Sequence, residues 1–229
     1  MQERRVVIKV AVCISGQPRG DYKKCREQLQ LNFPDADFYY SAWEGCETDV
    51  ETWFIEEPVL DYHPYGDIPK DIVLSERLAD KIPKFMSKPH EVERTSHQTK
   101  QILAHAFMVE EYPDYDVYVR SRWDTYTWPE ANFDPFVWCA HNDKNAIGFG
   151  TPSQNISVIR EERDNPYTQY FLFDQLIIHS NEAFDPEYVY KLHREKRLIA
   201  AEWGWWQVMS KGNHRCMHGW ANPISHVFR

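Results

Sequence analysis

The chain has 229 residues, which is long enough for one large domain with a substantial buried core. It carries 26 Lys and Arg against 35 Asp and Glu, and this formal net charge of −9 argues against a protein whose main task is to bind nucleic-acid phosphates. Aromatic residues make up 15% of the chain, and this content indicates a folded, globular protein and not a disordered one.

The cysteines and the apolar segments bear on the compartment in which the protein works. The 5 cysteines include no C-x-x-C pair, and an odd number cannot all pair within one chain, so we expect reduced thiols. No apolar run approaches the roughly 20 residues that span a bilayer, so we expect no membrane insertion. Lys9 interrupts the first apolar run, which we interpret as a strand and not as a signal peptide. These features predict a cytoplasmic protein.

The first part of the chain alternates strand and helix patterns. The β-branched run at residues 6–14 predicts a strand that is buried on both faces. Asp21 is then expected to cap a helix that ends near Leu31, and residues 37–43 predict a second strand. Residues 44–93 carry a weaker pattern, with only a short strand predicted at 59–62.

The remaining elements are predicted from apolar spacing and from prolines. Ser96 is expected to cap a helix that runs to Tyr112 and stops at Pro113, followed by a strand at 115–120. A further strand is predicted at 145–149 and a strand or strand end at 171–179. Helices are predicted at 186–192 and 198–210, and a strand with a tail at 214–229. This alternation predicts one α/β domain whose sheet is mainly parallel in its first half.

A first candidate site is the turn Ser15-Gly16-Gln17-Pro18-Arg19-Gly20 between the first strand and the first helix. Ligands of α/β sheets bind beyond the carboxyl ends of strands, a helix start favours anions, and Arg19 matches a phosphate. The turn lacks the spacing of a Walker loop or of a G-x-G-x-x-G fingerprint. The alternative is an ordinary turn in which the glycines supply backbone freedom.

A second candidate site is the end of the predicted strand at 115–120, where Arg120, Arg122 and Asp124 follow an apolar run. Charge at the end of a buried strand is costly unless it is paired or binds a ligand. The functional interpretation is a diphosphate clamp with a carboxylate for a divalent cation or for a sugar hydroxyl. The alternative is an Arg–Asp ion pair at the edge of the sheet.

A third candidate site lies in the last third of the chain. Asp174 beside an apolar run is suited to hold a hydroxyl group, and Glu202 is a candidate general base. Alternatively, Asp174 caps a turn and Glu202 lies on a solvated helix face. The nearby Trp203, Trp205 and Trp206 are candidates for an exposed sugar-stacking platform, together with Trp43, Trp123 and Trp220. His214, Cys216 and His218 lack a second ligand pair at zinc-finger spacing, so no zinc site is predicted.

Taken in order, these three segments resemble small GT-A-like glycosyltransferases of bacteria and their viruses. The shared patterns are the G-Q-x-R turn at Gly16, the YDxxxRxRxD strand end at Tyr115 and the DQxxxxS segment at Asp174. The resemblance implies a Rossmann-like, mixed and mostly parallel sheet flanked by helices, with a nucleotide-binding half at 1–125 and an acceptor half at 126–229.

The resemblance also implies roles for the candidate residues. It implies that Asp124 binds a manganese or magnesium ion, that Asp174 orients the substrate and that Glu202 acts as the base. The residues implied to bind the nucleotide and its diphosphate are Ser15, Gly16, Gln17, Arg19, Arg120 and Arg122. Arg122 stands where the family's D-x-D motif has its first aspartate. The alternative is therefore that Arg120 and Arg122 neutralise the leaving diphosphate without a metal ion.

The resulting functional hypothesis is a glycosyltransferase of polysaccharide synthesis that acts in the bacterial or infected-host cytosol. It would use a nucleotide-sugar donor and a glycan or other hydroxyl acceptor. Its rivals are a non-catalytic carbohydrate-binding or virion-associated protein that keeps the fold, and a phosphotransferase. The last is disfavoured because no phosphate-cradling loop is present.

Overall fold

The computed structural model describes residues 7–62, 89–150, 172–199, 201–209, 216–218 and 224–227, with the backbone alone given at 89–96, 201–203, 216–218 and 224–227. Seven strands form one sheet in the order β3-β2-β1-β4-β7-β6-β8. They are β1 (Val10–Ser15), β2 (Asp37–Trp43), β3 (Trp53–Ile55), β4 (Val117–Arg122), β6 (Ala146–Phe149), β7 (Leu176–Ser180) and β8 (Cys216–His218). Two further strands, β5 (Thr125–Thr127) and β9 (Ile224–Val227), pair antiparallel.

The sheet is mostly parallel, and β7 is the strand that runs against its neighbours. β1 pairs in parallel with β2 and with β4, and β2 pairs in parallel with β3. β7 is antiparallel to both β4 and β6, whereas β6 and β8 are parallel. The predicted fold class, a mixed and mostly parallel sheet flanked by helices, is therefore confirmed.

Five helices flank this sheet in the described part of the chain. They are α1 (Tyr22–Asn32), α2 (Pro89–Glu111), α3 (Asp134–Asp143), α4 (Pro186–Arg194) and α5 (Ala201–Met209), with a 3-10 turn at Asn181–Ala183. One apolar cluster joins β1, β4 and β7 to α2, α4 and α5 through Ala11, Cys13, Tyr118, Ile177, Ile102, Val189 and Trp205. The other joins the opposite sheet face to α1 and α3 through Val12, Val119, Ile178, Leu29 and Val137. The alternation of strand side chains thus supplies two separate cores.

The start of α1 illustrates how local chemistry sets an element. The Asp21 carboxylate accepts a hydrogen bond from the backbone N–H of Lys24 at 3.4 Å, as an N-cap residue does. Cys25 and Leu29, four residues apart on one helix face, are both buried, and Leu29 packs in the apolar cluster on the sheet. The predicted capped helix is confirmed, and so is the predicted strand at 37–43, which is β2.

Several predicted boundaries were wrong. β1 begins at Val10, since Val7 to Lys9 lie outside the strand and residues 1–6 lie outside the described part. The helix predicted from Ser96 begins at Pro89, and a proline in the first turn is common because its missing N–H has no helical partner there. The strand predicted from residue 115 begins at Val117 and extends to Arg122.

Short elements account for the other errors. The strand predicted at 59–62 is absent, and β3 forms instead at Trp53–Ile55, where Trp53 pairs with Ser41 of β2. The sequence did not predict α3 or β5. The strand predicted at 171–179 begins at Leu176, and the last segment contains two short strands, β8 and β9.

None of the described helices combines the length and the apolar character that crossing a bilayer requires.

Candidate functional site

The candidate site lies at one edge of the sheet, where β1 and β4 end and β7 begins. β1 and β4 are parallel, with Ser15 opposite Arg122, so their carboxyl ends are adjacent. β7 is antiparallel to β4, with Leu176 opposite Ser121. Asp174, two residues before Leu176, therefore belongs to the same edge as Ser15 and Arg122. The sheet topology thus brings the three predicted segments together.

The centre of this edge is an ion cluster around Asp124. The Arg122 side chain donates from Nε to Oδ1 at 2.8 Å and from Nη2 to Oδ2 at 2.7 Å, which is a bidentate pair. Arg19 donates from Nε to Oδ2 at 3.0 Å. The Asp124 side chain is 2% exposed, Arg122 11% and Arg19 49%. Arg19, Arg122 and Asp124, predicted separately at two strand ends, thus form one cluster.

Gly16 sets the course of the loop that carries Arg19. Its φ of 106° lies in the left-handed region that glycine favours. A Cβ at this position would lie 3.4 Å from Nε2 of Gln101 in α2, so the loop backbone runs close to that side chain. Gln17 and Arg19 are exposed beyond this turn. The loop therefore packs closely on α2 at Gly16 and exposes the polar side chains of Gln17 and Arg19 to solvent.

Arg120 is buried beneath this cluster. Its Nη2 donates a hydrogen bond to Oε1 of Gln101, and its guanidinium carbon lies 4.8 Å from the ring centroid of Trp205 in α5. Burial lowers the pKa of Arg120 to about 10, against the attraction of Asp174, which raises it. Arg120 is therefore a cation kept in the protein interior by a carboxylate, an amide and an aromatic ring.

Several buried polar atoms at this edge lack hydrogen-bond partners among the described residues. They are Oγ of Ser15, Nε and Nη1 of Arg120, and Oδ2 of Asp174. Buried polar atoms are normally paired, and leaving one unpaired costs about 1–3 kcal/mol. The ends of β1 and β4 and the start of β7 therefore hold unused donors and an unused acceptor.

A histidine pair lies on the same sheet face below Arg120. Nε2 of His105 in α2 and Nε2 of His179 in β7 are 2.8 Å apart, and both side chains are fully buried. Nδ1 of His179 lies 2.9 Å from the carbonyl oxygen of Ser180 and must donate to it. Neutral His179 then accepts at Nε2 from the Nε2–H of His105. Burial lowers the pKa of His179 to about 4 and that of His105 well below its usual value, where the nearby His179 and Arg120 also contribute.

The C-terminal candidates are placed differently from the expectation. Glu202 lies in the first turn of α5, three residues before Trp205 and on the same side of that helix, and its side chain is outside the described part. Trp205 is fully buried against Arg120, so the expectation that it forms an exposed sugar platform was wrong. Trp43 and Trp123 are buried as well, whereas the exposed tryptophans among the described side chains are Trp53, Trp128 and Trp138.

The donor set around Asp124 does not fit a divalent cation. Oδ2 already accepts two guanidinium N–H groups and Oδ1 accepts a third, so a metal would face two positive side chains. Among the residues whose side chains are described, no three His, Cys, Asp or Glu side chains are grouped as a metal site. The cluster is built to hold arginines.

Sequence reasoning missed Gln101 and His105, which supply the polar surface beneath the site. They are spaced four residues apart in α2, next to the apolar Ile102 and Ala106, and therefore share one helix face. Polar residues within an apolar stripe are the signal that marks them, since buried polar groups require partners.

No protein-family model and no curated protein matches the chain. Among solved structures, it is similar to a glycosyltransferase involved in the glycosylation of the major capsid of PBCV-1, at 11% identity and a TM-score of 0.46, over 92% of this chain and 82% of that one. It is also similar to the galactosyltransferase LgtC in complex with donor and acceptor sugar analogues, at 8% identity and a TM-score of 0.43. This match covers 93% of this chain and 73% of LgtC. The bifunctional glycosyltransferase WbbM is similar at 9% identity and a TM-score of 0.45, over 96% of this chain but 40% of WbbM.

Proposed function

We propose that the protein is a glycosyltransferase that moves a sugar from a nucleotide-diphosphate donor to a hydroxyl group of a glycan or another acceptor. The observation that carries the proposal is the set of unpartnered polar atoms at the edge where β1 and β4 end. Ser15 and Arg120 hold unused donors, and Asp174 holds an unused acceptor. A nucleotide sugar offers phosphate oxygens that accept and sugar hydroxyls that donate, so it matches both kinds of atom.

The burial of Arg120 supports an anionic ligand. Taking a guanidinium out of water costs several kcal/mol, and although Asp174, Gln101 and Trp205 offset part of it, Nε and Nη1 of Arg120 have no hydrogen-bond partner among the described residues. A cation kept at such expense in a candidate site is a mark of function. Because the interior has a low dielectric, the Arg120 charge acts on a phosphate at the cluster even without direct contact.

The loop after β1 is suited to the nucleotide part of the donor. Gly16 brings the backbone close to α2, and the loop leads into the capped start of α1. Gln17 and Arg19 project from it as exposed hydrogen-bonding groups. The G-Q-x-R pattern that resembles the glycosyltransferase turn falls on these residues, so the sequence pattern and the loop geometry favour the same role.

In the proposed reaction, the bond between the anomeric carbon of the sugar and the diphosphate oxygen breaks. The diphosphate leaves with the electron pair, and the arginines stabilise the negative charge that develops on it. The acceptor hydroxyl oxygen forms the new bond to the anomeric carbon and gives its proton to a carboxylate base. Glu202 is the proposed base, and Asp174 orients a hydroxyl group of the substrate through its unpartnered oxygen.

The proposal is tested by calorimetry with UDP-, GDP-, CDP- and TDP-sugars, on the unaltered chain and on Arg120→Met. We expect the unaltered chain to bind one of these donors and Arg120→Met to bind it at least about tenfold more weakly, since tenfold corresponds to about 1.4 kcal/mol. The free energy of unfolding should fall by up to about 3 kcal/mol, because Arg120→Met leaves the Asp174 charge without its cation and Oε1 of Gln101 without its donor, so binding is measured where the variant is still folded.

Arg194→Met is the matched control, because Arg194 is 65% exposed on α4. It should leave both donor binding and stability unchanged. If no nucleotide sugar binds the unaltered chain, the proposal fails, and binding of a free glycan in its place would favour the non-catalytic carbohydrate-binding rival.

A further inference from the structure

The carboxylate of Asp124 is shared by two arginines that come from different parts of the chain. Arg122 belongs to the end of β4 and reaches Asp124 through two parallel hydrogen bonds. Arg19 belongs to the loop after β1, 105 residues away in sequence. Asp124 is almost completely buried, whereas about half of the Arg19 side chain is exposed. The carboxylate therefore fixes the position of a solvent-facing guanidinium from below.

The lone pairs of Asp124 are nearly all in use. A carboxylate has about four acceptor positions, and three of them receive N–H groups of Arg19 and Arg122. A divalent cation at the remaining position would lie against two like charges, which disfavours it. Among Arg19, Arg120, Arg122, Asp124 and Asp174, the three guanidiniums outnumber the two carboxylates by one positive charge, which suits an anion beside them.

The terminal nitrogens of Arg19 are the groups that can meet a ligand. Only its Nε is used in the contact with Asp124, and Nη1 and Nη2 make no hydrogen bond to any described residue. An arginine that is anchored through Nε presents the rest of its planar fork in a defined orientation. That geometry matches the oxygens of a phosphate group.

We infer that Asp124 is a positioning residue that holds Arg19 and Arg122 side by side, and that these two guanidiniums bind the donor diphosphate without a divalent cation. The inference rests on the proposed function, since it concerns the same donor. It replaces the expectation that Asp124 is a metal ligand. Neutralising the leaving diphosphate with fixed guanidiniums stabilises the same developing charge that a metal ion would stabilise.

The test measures the affinity for UDP, GDP, CDP and TDP in excess EDTA and again in excess Mn²⁺. For the nucleotide that binds, we expect dissociation constants that agree within about twofold in the two buffers. Arg19→Lys and Arg122→Lys should each weaken binding by about tenfold in both buffers, because lysine keeps the charge but lacks the planar fork. Arg194→Lys, at an exposed position on α4, is the matched control and should have no effect.

A positioning role for Asp124 has its own readout. In Asp124→Asn the ¹⁵N resonances of the Arg19 and Arg122 Nε groups should move toward values of unanchored arginine, and nucleotide binding should weaken by the same factor with EDTA and with Mn²⁺. Asp124→Glu, which keeps the charge, should recover part of the lost affinity. Should Asp124→Asn not fold, Arg19→Lys still tests the inference, because Arg19 lies on an exposed loop.

Two results would overturn the inference, and they differ from each other. A gain of about tenfold or more in affinity on adding Mn²⁺, lost in Asp124→Asn, would make Asp124 a metal ligand while leaving the proposed function intact. Absence of binding to every nucleotide in both buffers would defeat the proposed function together with the inference.

Discussion

At the scale of single residues, the face of the sheet that packs against α2 carries a line of buried polar groups. Gln101, Arg120, His105 and His179 follow one another from the candidate site into the core, with Trp205 beside them. Such groups are costly unless each is satisfied. Nδ1 of His105 has no hydrogen-bond partner in the described part of the chain, so this line is satisfied only in part.

The histidine pair predicts a loss of stability in mild acid. In the unfolded chain each histidine takes up a proton below about pH 6.5, whereas the pKa of folded His179 is held down to about 4 and that of His105 is also lowered. Between these values the unfolded state binds more protons, so stability falls as the pH falls. Each histidine should contribute a slope of up to about 1.4 kcal/mol per pH unit.

The measurement is the free energy of urea unfolding between about pH 7 and pH 4.5. His105→Gln is the informative variant, because its amide can still donate to Nε2 of His179 and does not titrate. Its slope should be smaller by about 1.4 kcal/mol per pH unit. An unchanged slope would assign the acid sensitivity to carboxylates and not to the pair.

At the scale of elements, the end of α3 holds a residue in an unfavourable conformation. Lys144 follows the helix with φ 51° and ψ 48°, which is the left-handed conformation that glycine adopts at helix ends. Its ammonium group lies 3.1 Å from Glu182, but both side chains are more than half exposed, so this pair adds little. The position is therefore suited to glycine.

We expect Lys144→Gly to stabilise the protein by about 0.5–1 kcal/mol, after the greater freedom of glycine in the unfolded chain is counted. Urea unfolding of Lys144→Gly beside Lys144→Ala separates the two contributions. Both variants lose the contact with Glu182, but alanine keeps the backbone strain. If the glycine variant is no more stable than the alanine variant, the backbone of Lys144 is not strained.

The elements that the sequence predicted are those whose signals are local. α1 has a capping aspartate and β2 a strong apolar pattern, and both were located correctly. β3 and β5 have three residues each, so their existence depends on the partner strands β2 and β9, which no local pattern records. In α3 the exposed Trp138 obscures the amphipathic pattern, although Asp134 and Pro135 mark its start.

The candidate site shows the same division. The meeting of Arg19, Arg122 and Asp124 could be expected, because the ends of adjacent parallel strands share one edge. The positions of Gln101 and Trp205 could not, because they depend on how α2 and α5 pack over the sheet. For the same reason the sequence did not distinguish the buried Trp205 from the exposed Trp138.

At the scale of the whole molecule, the net charge of −9 and the cationic site act on a ligand over different distances. In physiological salt, exposed charges are screened beyond about 8 Å, so the acidic surface acts weakly on a ligand inside the site. The arginines at the edge of the sheet act at contact range. An acidic protein can therefore bind one diphosphate while disfavouring long polyanions.

The sheet also decides whether the nucleotide-binding half and the acceptor half, proposed at 1–125 and 126–229, are separate folding units. β4 lies in the first half and pairs with β7 of the second, and β5 spans the boundary and pairs with β9. Thr125 donates to the carbonyl oxygen of Gln175 at 3.0 Å. Cutting the chain near residue 125 would leave β4 with an unpaired edge in the middle of the sheet.

We therefore expect the fragment 1–125 to lack a cooperative urea transition when it is expressed alone, because a central strand exposed as an edge loses both hydrogen bonds and core. The intact chain should unfold in a single transition, with tryptophan fluorescence and far-ultraviolet circular dichroism giving the same midpoint. Adding the fragment 126–229 should restore the transition of 1–125, since β7 then covers β4 again. A folded fragment 1–125, with a sigmoidal transition of its own, would show that the strand pairing across the boundary contributes little to stability and that the two halves are independent domains.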